Sequence, residues 1–480
     1  MSLVVITAVP AAVMVVPDTM PYVVARAVSD LRLPADQAAG MVRAAGLALP
    51  ALLPAVPLAA VLARRMPAVV LIAGLGAVLC GEAAAELAGR LTVLGPVPAV
   101  GVSRVVEGLG AGAVLPATLV LARRHDGPRG RALTALWAGA LTAALIAAMP
   151  FALYGLAAAG EWRAALQPYP WFAALALGVA ALFGPLPARA AAPAVRRIER
   201  TQLLLPLAPA AGFAFLAVVT TYGWTPGAQL ALAGLGAACL AGLAVVGSRD
   251  ATAGTPLCFA LVAFTAGLLG MPVAAPLAGL IGANPGPRGV PLAPFAAAAM
   301  AAAAAALIAS RSRTGGGRAV LITGHALAVV AVLWLRATDT ATDTGMDAAM
   351  SGGWSRPWPA AFPLALLGAG LGAALAASLR AASQGGALFG LTMCFPGVLC
   401  GYMVIGPLQV HRVGAAMLDG GGTGDVVAAL TAAFRVWLVI AGALAALLAA
   451  VAAIAGRDRA RPVVTAGRDA PADAAAGEAR

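Results

Sequence analysis

The chain has 480 residues, of which 61% are hydrophobic and 10% are charged, and its mean hydropathy is +0.92. A soluble protein of this length has no means of burying so much apolar surface, so the composition excludes an ordinary soluble fold and indicates an integral membrane protein. The formal net charge is +12, and all 31 basic residues are arginines.

Fourteen apolar stretches of membrane-spanning length follow one another along the chain. A spanning helix needs about 20 apolar residues, and helices satisfy their own backbone hydrogen bonds in lipid. The sequence therefore predicts an all-α integral membrane protein with about 14 transmembrane helices. The predicted spans are residues 3–25, 41–63, 67–88, 98–122, 131–156, 168–187, 203–222, 227–247, 255–282, 289–310, 319–335, 357–380, 386–410 and 427–455.

The spacing of these stretches predicts two six-helix halves with a two-helix insert between them. We expect residues 1–187 to form the N-terminal bundle, residues 188–202 a basic cytoplasmic linker, and residues 203–247 the inserted pair. The C-terminal bundle is expected over residues 248–455, followed by a polar, disordered cytoplasmic tail at 456–480. The inserted helices have no ionisable side chain in their apolar cores, so a peripheral position is predicted for them.

The arginines gather in alternate gaps between the predicted helices. If the N-terminus is cytoplasmic, the inner gaps and the tail contain 20 arginines and the outer gaps nine. Because basic residues are enriched in cytoplasmic loops, this distribution places both termini in the cytoplasm. The first outer gap, with three arginines, is a local exception. The positive charge therefore reports topology, and a nucleic-acid partner is not expected.

Few ionisable residues lie well inside the predicted helices, where each is costly unless it is paired or hydrated. Arg104 and Glu107 are three residues apart and share one helix face. They could form a static ion pair, or a site that binds and releases a proton. Asp18 could serve the same chemistry or lie at a helix end in interfacial water. The full set is Asp18, Arg104, Glu107, His325 and Arg435.

Two further acids, and His325 from the set above, each allow two interpretations. Glu82 and Glu86, near the outer end of the third predicted helix, could mark an access path for cations or a solvated helix end. His325, a lone histidine, could be a buried hydrogen-bonded side chain or a proton relay.

Small residues and prolines suit close packing of the predicted helices. Gly108 and Gly112 form a GxxxG pair on the fourth helix, where a neighbouring backbone could approach. Pro150 and Pro396 should interrupt local helical hydrogen bonding. Such interruptions occur where transporters bend or bind substrate, although prolines are frequent in membrane helices generally.

The motifs of several enzyme classes are missing. Without lysine the chain has no GxxxxGK[ST] phosphate-binding loop, so it contains no ATP-driven pump of its own. The three histidines form no HExxH motif, and the five cysteines show no CxxC spacing. We therefore expect neither an enzyme nor a cofactor or metal site.

Two segments resemble motifs of the fourteen-helix drug:proton antiporters in the major facilitator superfamily. Met14–Leu31 (MVVPDTMPYVVARAVSDL) resembles the helix 1 signature LDxTIVNVALPxIxxDL, with Asp18 and Thr19 on its Asp and Thr. Ser103–Leu119 (SRVVEGLGAGAVLPATL) is similar to the helix 4 motif RxxQGxGAAxxxP, with Glu107 in place of Gln. The matching residues of that motif are Arg104, Gly108, Gly110 and Pro116.

Other motifs of that branch are kept only in part. Glu161–Arg163 (EWR) is similar to the WRW element before helix 6. The loop GxLaDRxGRR becomes Ala60–Ala68 (AVLARRMPA), where Arg64 replaces Asp and Arg65 remains as the gating arginine that the resemblance implies. The helix 5 motif GPxxGG is reduced to Ala148–Gly155 (AMPFALYG), which retains Pro150.

The resemblance implies a monomeric secondary transporter in a bacterial inner membrane. Its expected activity is proton-coupled efflux of hydrophobic or cationic small molecules by alternating access, with the substrate, protons and the lipid bilayer as partners. Asp18 is implied as the protonation site, Arg104 as its charge partner and Glu107 as a second acid. Helix packing and gating are assigned to Gly108, Gly110, Gly112, Pro116, Pro150 and Arg65.

The altered motifs leave two alternatives open. One is a transport-inactive membrane receptor or accessory subunit. The other is a transporter that does not use protons, such as a uniporter or a lipid flippase.

Overall fold

The computed structural model describes residues 1–87, 95–159, 161–166, 169–183, 197–247, 257–283, 290–312, 317–342 and 358–455. The early helices are α1 (Ser2–Val13), α2 (Val24–Leu31), α3 (Ala35–Ala45), α4 (Ala48–Arg65), α5 (Pro67–Leu87), α6 (Pro96–Arg123), α7 (Gly127–Ala159) and α8 (Pro170–Phe183). Then come α9 (Arg197–Leu204), α10 (Leu207–Thr220) and α11 (Pro226–Gly247). The later helices are α12 (Leu257–Ala283), α13 (Ala293–Arg311), α14 (Gly317–Thr342), α15 (Trp358–Ala381), α16 (Gln384–Leu391), α17 (Cys394–Leu418) and α18 (Thr423–Ala455).

Twelve helical segments among the described residues are long and apolar enough to cross a membrane. Two shorter apolar helices, α1 and the greater part of α8, coincide with the first and sixth predicted spans. The chain is thus an all-α, multi-pass membrane bundle, and the count of fourteen spans remains a prediction. Linker residues 188–196 and the tail 456–480 lie outside the described residues, whereas linker residues 197–202 belong to α9.

The prediction of one continuous first helix over residues 3–25 was wrong. α1 ends at Val13, and an irregular segment leads to a single 3-10 turn at Met20–Tyr22 and then to α2. The cause is Pro17, which has no amide hydrogen and whose ring would collide with the carbonyl of Val13 four residues earlier. The interruption frees backbone carbonyls and places Asp18 outside a helix.

The other two prolines behave differently from each other. The predicted span 386–410 is divided between α16 and α17 at Thr392 and Met393, just before Pro396. Pro396 then lies in the first turn of α17, where its missing amide hydrogen has no helical partner to lose. α7, in contrast, continues through Pro150 without a break.

Glycines bring α6 into close contact with two neighbours. A Cβ atom on Gly108 would overlap the carbonyl oxygen of Ala48 on α4, and one on Gly112 would lie 2.5 Å from the Cβ of Ala55. Gly110 faces the opposite side, where a Cβ would lie 2.5 Å from the carbonyl oxygen of Gly74 on α5. Alternating glycines therefore let α4 and α5 pack on opposite sides of one helix.

The same arrangement recurs late in the chain. A Cβ on Gly368 or Gly372 of α15 would overlap backbone atoms of α13, and one on Gly370 would lie 2.5 Å from the carbonyl oxygen of Gly324 on α14. Helices α13, α15 and α14 thus repeat the packing of α4, α6 and α5. α10 and α11, the helices of the predicted insert, pack against α4 and α17 respectively.

Candidate functional site

One face of the bundle is rich in arginine, and contacts between the early and the late helices cross it. We call it the arginine-rich face; it includes Arg64, Arg123, Arg311 and Arg380. Arg123 donates to the carbonyl oxygens of Leu379 (2.9 Å) and Ala382 (2.5 Å). These bonds join the end of α6 to the end of α15.

Arg64, at the C-terminus of α4, makes a second connection across this face. Its guanidinium donates to the side chain of Gln384 on α16 and forms a 2.6 Å ion pair with Glu199 on α9. Arg65, the arginine predicted to act in gating, is exposed at the same helix end. The structure therefore assigns the contacts at this position to Arg64, the residue that replaces the aspartate of the resembling motif.

Away from the arginine-rich face, a cavity of about 930 Å³ lies between the two sets of helices. It is bordered by α3, α4 and α7, by α10, and by α12, α17 and α18. Most of its lining is apolar, and Asp18 is its only carboxylate among the described residues. The other side chains with polar groups that line it are Tyr22, Arg43, Thr221, Tyr402 and Gln409.

Asp18 is held in this cavity by the interruption of the first helix. Its Oδ1 accepts a hydrogen bond from the amide of Met20 (3.1 Å), and the neighbouring Thr19 hydroxyl donates to the carbonyl of Ala165 (3.0 Å). The backbone of Gly46 passes so close that a Cβ there would lie 3.3 Å from an Asp18 carboxylate oxygen. The carboxylate is thus fixed by backbone contacts while it remains half-buried and open to the cavity.

Arg43, the cationic group in the cavity lining, is engaged by an aromatic ring. Its guanidinium carbon lies 4.2 Å from the ring centre of Tyr222, which follows α10. A cation over the face of an aromatic ring is attracted by the negative potential of that face. The helices of the predicted insert therefore help to position a charged group of the cavity.

Arg104, on α6, links several helices near the cavity through hydrogen bonds to their backbone carbonyls. Its Nη2 donates to the carbonyls of Val15 (2.6 Å) and Pro17 (3.2 Å), both in the interrupted part of the first helix. Its Nε donates to the carbonyl of Ala45 at the end of α3 (2.9 Å). One side chain on α6 thus satisfies carbonyls that the breaks in two other helices leave without helical partners.

The acid partner of Arg104 is Glu107. Nη1 of Arg104 lies 2.6 Å from Oε2 of Glu107, and both side chains are almost completely buried. The ion pair between Arg104 and Glu107 is one of the two readings that their spacing offered, whereas the resemblance implied Asp18 as the charge partner. Asp18 is connected to Arg104 through the carbonyl of Pro17, the residue before it. The charge of Arg104 acts on Asp18 through space.

Glu82, on α5, shares a second and much smaller cavity with Arg104 and Glu107. The sequence suggested an access path or a solvated helix end for this residue, because its distance from α6 in the fold is not visible along the chain. The one sequence feature that pointed to this approach is the glycine before Glu82. In the structure a Cβ on Gly81 would lie 2.8 Å from the carbonyl oxygen of Ser103 on α6, so glycine is required for the close contact.

Of the remaining predicted site residues, the two prolines lie within helices, and His325 lines neither of these two cavities. Pro116 and Pro150 are buried inside the continuous helices α6 and α7. His325 is buried on α14, where its Nδ1 lies 3.0 Å from the carbonyl of Leu321.

No family model and no curated protein sequence matches this chain. Solved structures do match it over most of its length. XylE, a major facilitator superfamily proton:xylose symporter bound to 6-bromo-6-deoxy-D-glucose, aligns over 94% of this chain and 93% of its own, with a TM-score of 0.55 and 12% identity. The human organic anion transporter MFSD10 (TETRAN) aligns over 94% and 97%, with a TM-score of 0.52 and 16% identity.

A structure from work on substrate recognition in proton dependent oligopeptide transporters aligns over 95% of this chain and 99% of its own. Its TM-score is 0.57 and its identity 16%. Identities this low carry the fold alone. The chain has the major facilitator fold.

Proposed function

We propose that this protein is a secondary active transporter that works by alternating access. The cavity between the two sets of helices is the substrate site, and the contacts of Arg64 and Arg123 form the gate on the arginine-rich face. The arginine distribution places that face in the cytoplasm. The structure then corresponds to an outward-facing state, and both termini are cytoplasmic in a multi-pass bacterial inner-membrane protein.

The observation that carries this proposal is a single carboxylate in a largely apolar cavity. A carboxylate in such surroundings is costly unless it is neutralised, either by a proton or by a cation. Asp18 can therefore bind a proton or a cationic substrate, and the two compete for it. Competition for one site is sufficient for exchange of one against the other across the membrane.

The identity of the coupling ion and the direction of substrate transport are supported by separate observations. The xylose symporter and the oligopeptide transporters that share the fold are described as proton-coupled or proton-dependent. Export of hydrophobic or cationic small molecules, of the multidrug type, rests on the resemblance of Met14–Leu31 and Ser103–Leu119 to antiporter motifs. We propose a monomer in the lipid bilayer, with protons and a small-molecule substrate as its ligands.

Proton flux in proteoliposomes tests the proposal. The wild type, Asp18→Asn and Asp30→Asn would be challenged with a panel of lipophilic cations and antibiotics. Asp30 is an exposed carboxylate on α2 and provides the matched control. We expect substrate-dependent proton movement in the wild type and in Asp30→Asn, and its loss in Asp18→Asn at unchanged expression.

Each other outcome points to a different function. Substrate movement without proton movement in any of the three proteins would indicate a uniporter or a lipid flippase. Folded protein that moves no compound at all would indicate a receptor or an accessory subunit. Normal coupled export by Asp18→Asn would remove Asp18 from the coupling path.

A further inference from the structure

The small cavity behind the first helix has an unusual balance of charge. Its volume is about 30 Å³, room for about one or two water molecules. It is bordered by α1, α5, α6 and α8, and its lining includes two carboxyl groups, Glu82 and Glu107, and one guanidinium, Arg104. Arg104 and Glu107 are buried, and Glu82 is half-buried.

The contacts of Glu107 show where a proton would be held. Oε2 of Glu107 is bound by Arg104 at 2.6 Å, whereas Oε1 is buried without a hydrogen-bond partner. A buried carboxylate oxygen with no donor is costly, and a proton on one of two neighbouring acids removes that cost by supplying a donor. Among the residues that the structure describes, Glu107 and Arg104 line the same small cavity as Glu82.

The surrounding helices add few other titratable groups. Neither α1 nor α8 contains an ionisable side chain. Tyr169, just before α8, also lines the cavity, and Glu86 lies one turn along α5 but is exposed. Asp18 lines the large cavity, on the other side of the interrupted segment. The two acids and Arg104 thus form a separate cluster.

The repeated packing in the late helices shows that these charges are not needed to build the fold. Matching the central glycines of α6 with those of α15 places Leu364 and Leu367 at the positions of Arg104 and Glu107. Matching Gly74 of α5 with Gly324 of α14 places Val332 at the position of Glu82. All three of these apolar side chains are buried. An apolar trio therefore supports the same helix crossing, so the charged trio has another role.

We propose that Glu82 and Glu107 together bind one exchangeable proton, at a site distinct from Asp18, and that Arg104 communicates its release to the substrate cavity. The inference rests on the proposed proton-coupled transport. When the proton leaves to water, both acids are anionic and attract Arg104 more strongly. Arg104 then moves from the carbonyls of Val15 and Pro17 towards the second carboxylate, which frees the segment that holds Asp18.

Infrared spectroscopy of the purified protein tests the site directly. Exposed carboxylic acids are ionised at about pH 7, so a carboxylic-acid C=O band at that pH reports a buried protonated acid. We expect this band in the wild type, in Asp18→Asn and in the matched control Glu86→Gln. When each is combined with Asp18→Asn, so that Asp18 contributes no such band, Glu82→Gln and Glu107→Gln should lack it, because each leaves a single acid that ionises beside Arg104. Absence of the band from Asp18→Asn would overturn the proposal, even if the other variants did not fold.

Proton flux in proteoliposomes separates the two proposals. We expect Glu82→Gln and Glu107→Gln to move fewer protons for each substrate than the wild type and Glu86→Gln. If the wild type shows coupled flux and Glu82→Gln is identical to it, the second site is wrong while the transporter assignment stands. If the wild type shows no substrate-driven proton movement, the assignment of proton-coupled transport fails, and the infrared band still decides whether the acid pair holds a proton.

Discussion

Helices α6 and α15 are built on the same packing motif but differ in chemistry. Each has glycines at three alternate positions, 108, 110 and 112 in α6 and 368, 370 and 372 in α15. In both helices a Cβ on the central glycine would lie 2.5 Å from a glycine carbonyl oxygen of one neighbour, while the outer glycines face the other neighbour. The backbone contacts are therefore equivalent in the two parts of the chain.

The difference lies one turn before the glycines. There α6 carries Arg104 and Glu107, and the neighbouring α5 contributes Glu82, whereas the corresponding residues near α15 are all apolar. Replacing a buried ion pair by apolar residues of similar size is often neutral or stabilising. The comparison therefore indicates that the charged cluster is retained at the expense of stability, as is expected for a functional site.

Of the variants that test this comparison, removal of Arg104 alone should lower the free energy of unfolding the most. Arg104→Leu copies Leu364 but leaves Glu107 as an unpaired buried carboxylate, a change that costs about 3–5 kcal/mol. The triple variant Arg104→Leu, Glu107→Leu, Glu82→Val copies the apolar trio in full. We expect it to regain most of that loss in the free energy of unfolding, measured in detergent, and to remain without proton coupling. A triple variant less stable than the single one would show that the two helices are not equivalent.

Substitution of the central glycines tests whether the two crossings are equally tight. Gly110→Ala and Gly370→Ala each place a methyl group against a glycine carbonyl oxygen, which should lower the free energy of unfolding by about 1–3 kcal/mol. Gly76→Ala on α5 is the control, because no atom lies within 4 Å of the added Cβ. That change should stabilise by up to about 1 kcal/mol through helix propensity. A loss confined to one of the two tight glycines would contradict the repeated packing.

The helices and the polar residues inside them were predictable because both depend on local sequence. An apolar run of about 20 residues predicts a span wherever it occurs, and Arg104 and Glu107 share a face by their spacing alone. Pro17 was visible in the sequence as well, but hydropathy averaged over a window does not register a single helix-breaking residue. The first helix was therefore predicted to be continuous.

Apart from the pair of Arg104 and Glu107, the partners of the charged residues could not be read along the chain. Glu82 and Glu107 are neighbours only because Gly81 lets α5 approach α6, a contact between distant segments. Arg64 was noted as a departure from a motif, whereas its partners Glu199 and Gln384 come from separate helices. The resemblance implied Asp18 as the charge partner of Arg104, but the break at Pro17 presents the backbone carbonyls of Val15 and Pro17 to Arg104. Tertiary packing, and not local sequence, determines these pairings.

The smallest predicted effect on the free energy of unfolding is that of substituting His325. Here the ionisable residue belongs to the late helices and its apolar counterpart to the early ones. His325 is a buried ionisable residue of α14, and the matching position in α5 is the buried Leu75. Its Nε2 has no hydrogen-bond partner, so the ring keeps an unsatisfied polar atom that a leucine would remove. We expect His325→Leu to change the free energy of unfolding by no more than about 1 kcal/mol, in the stabilising direction, and to leave the ratio of protons to substrate unchanged. A change in that ratio would mean that both parts of the chain take part in proton coupling, and the chemical asymmetry between α6 and α15 would then not identify the coupling site.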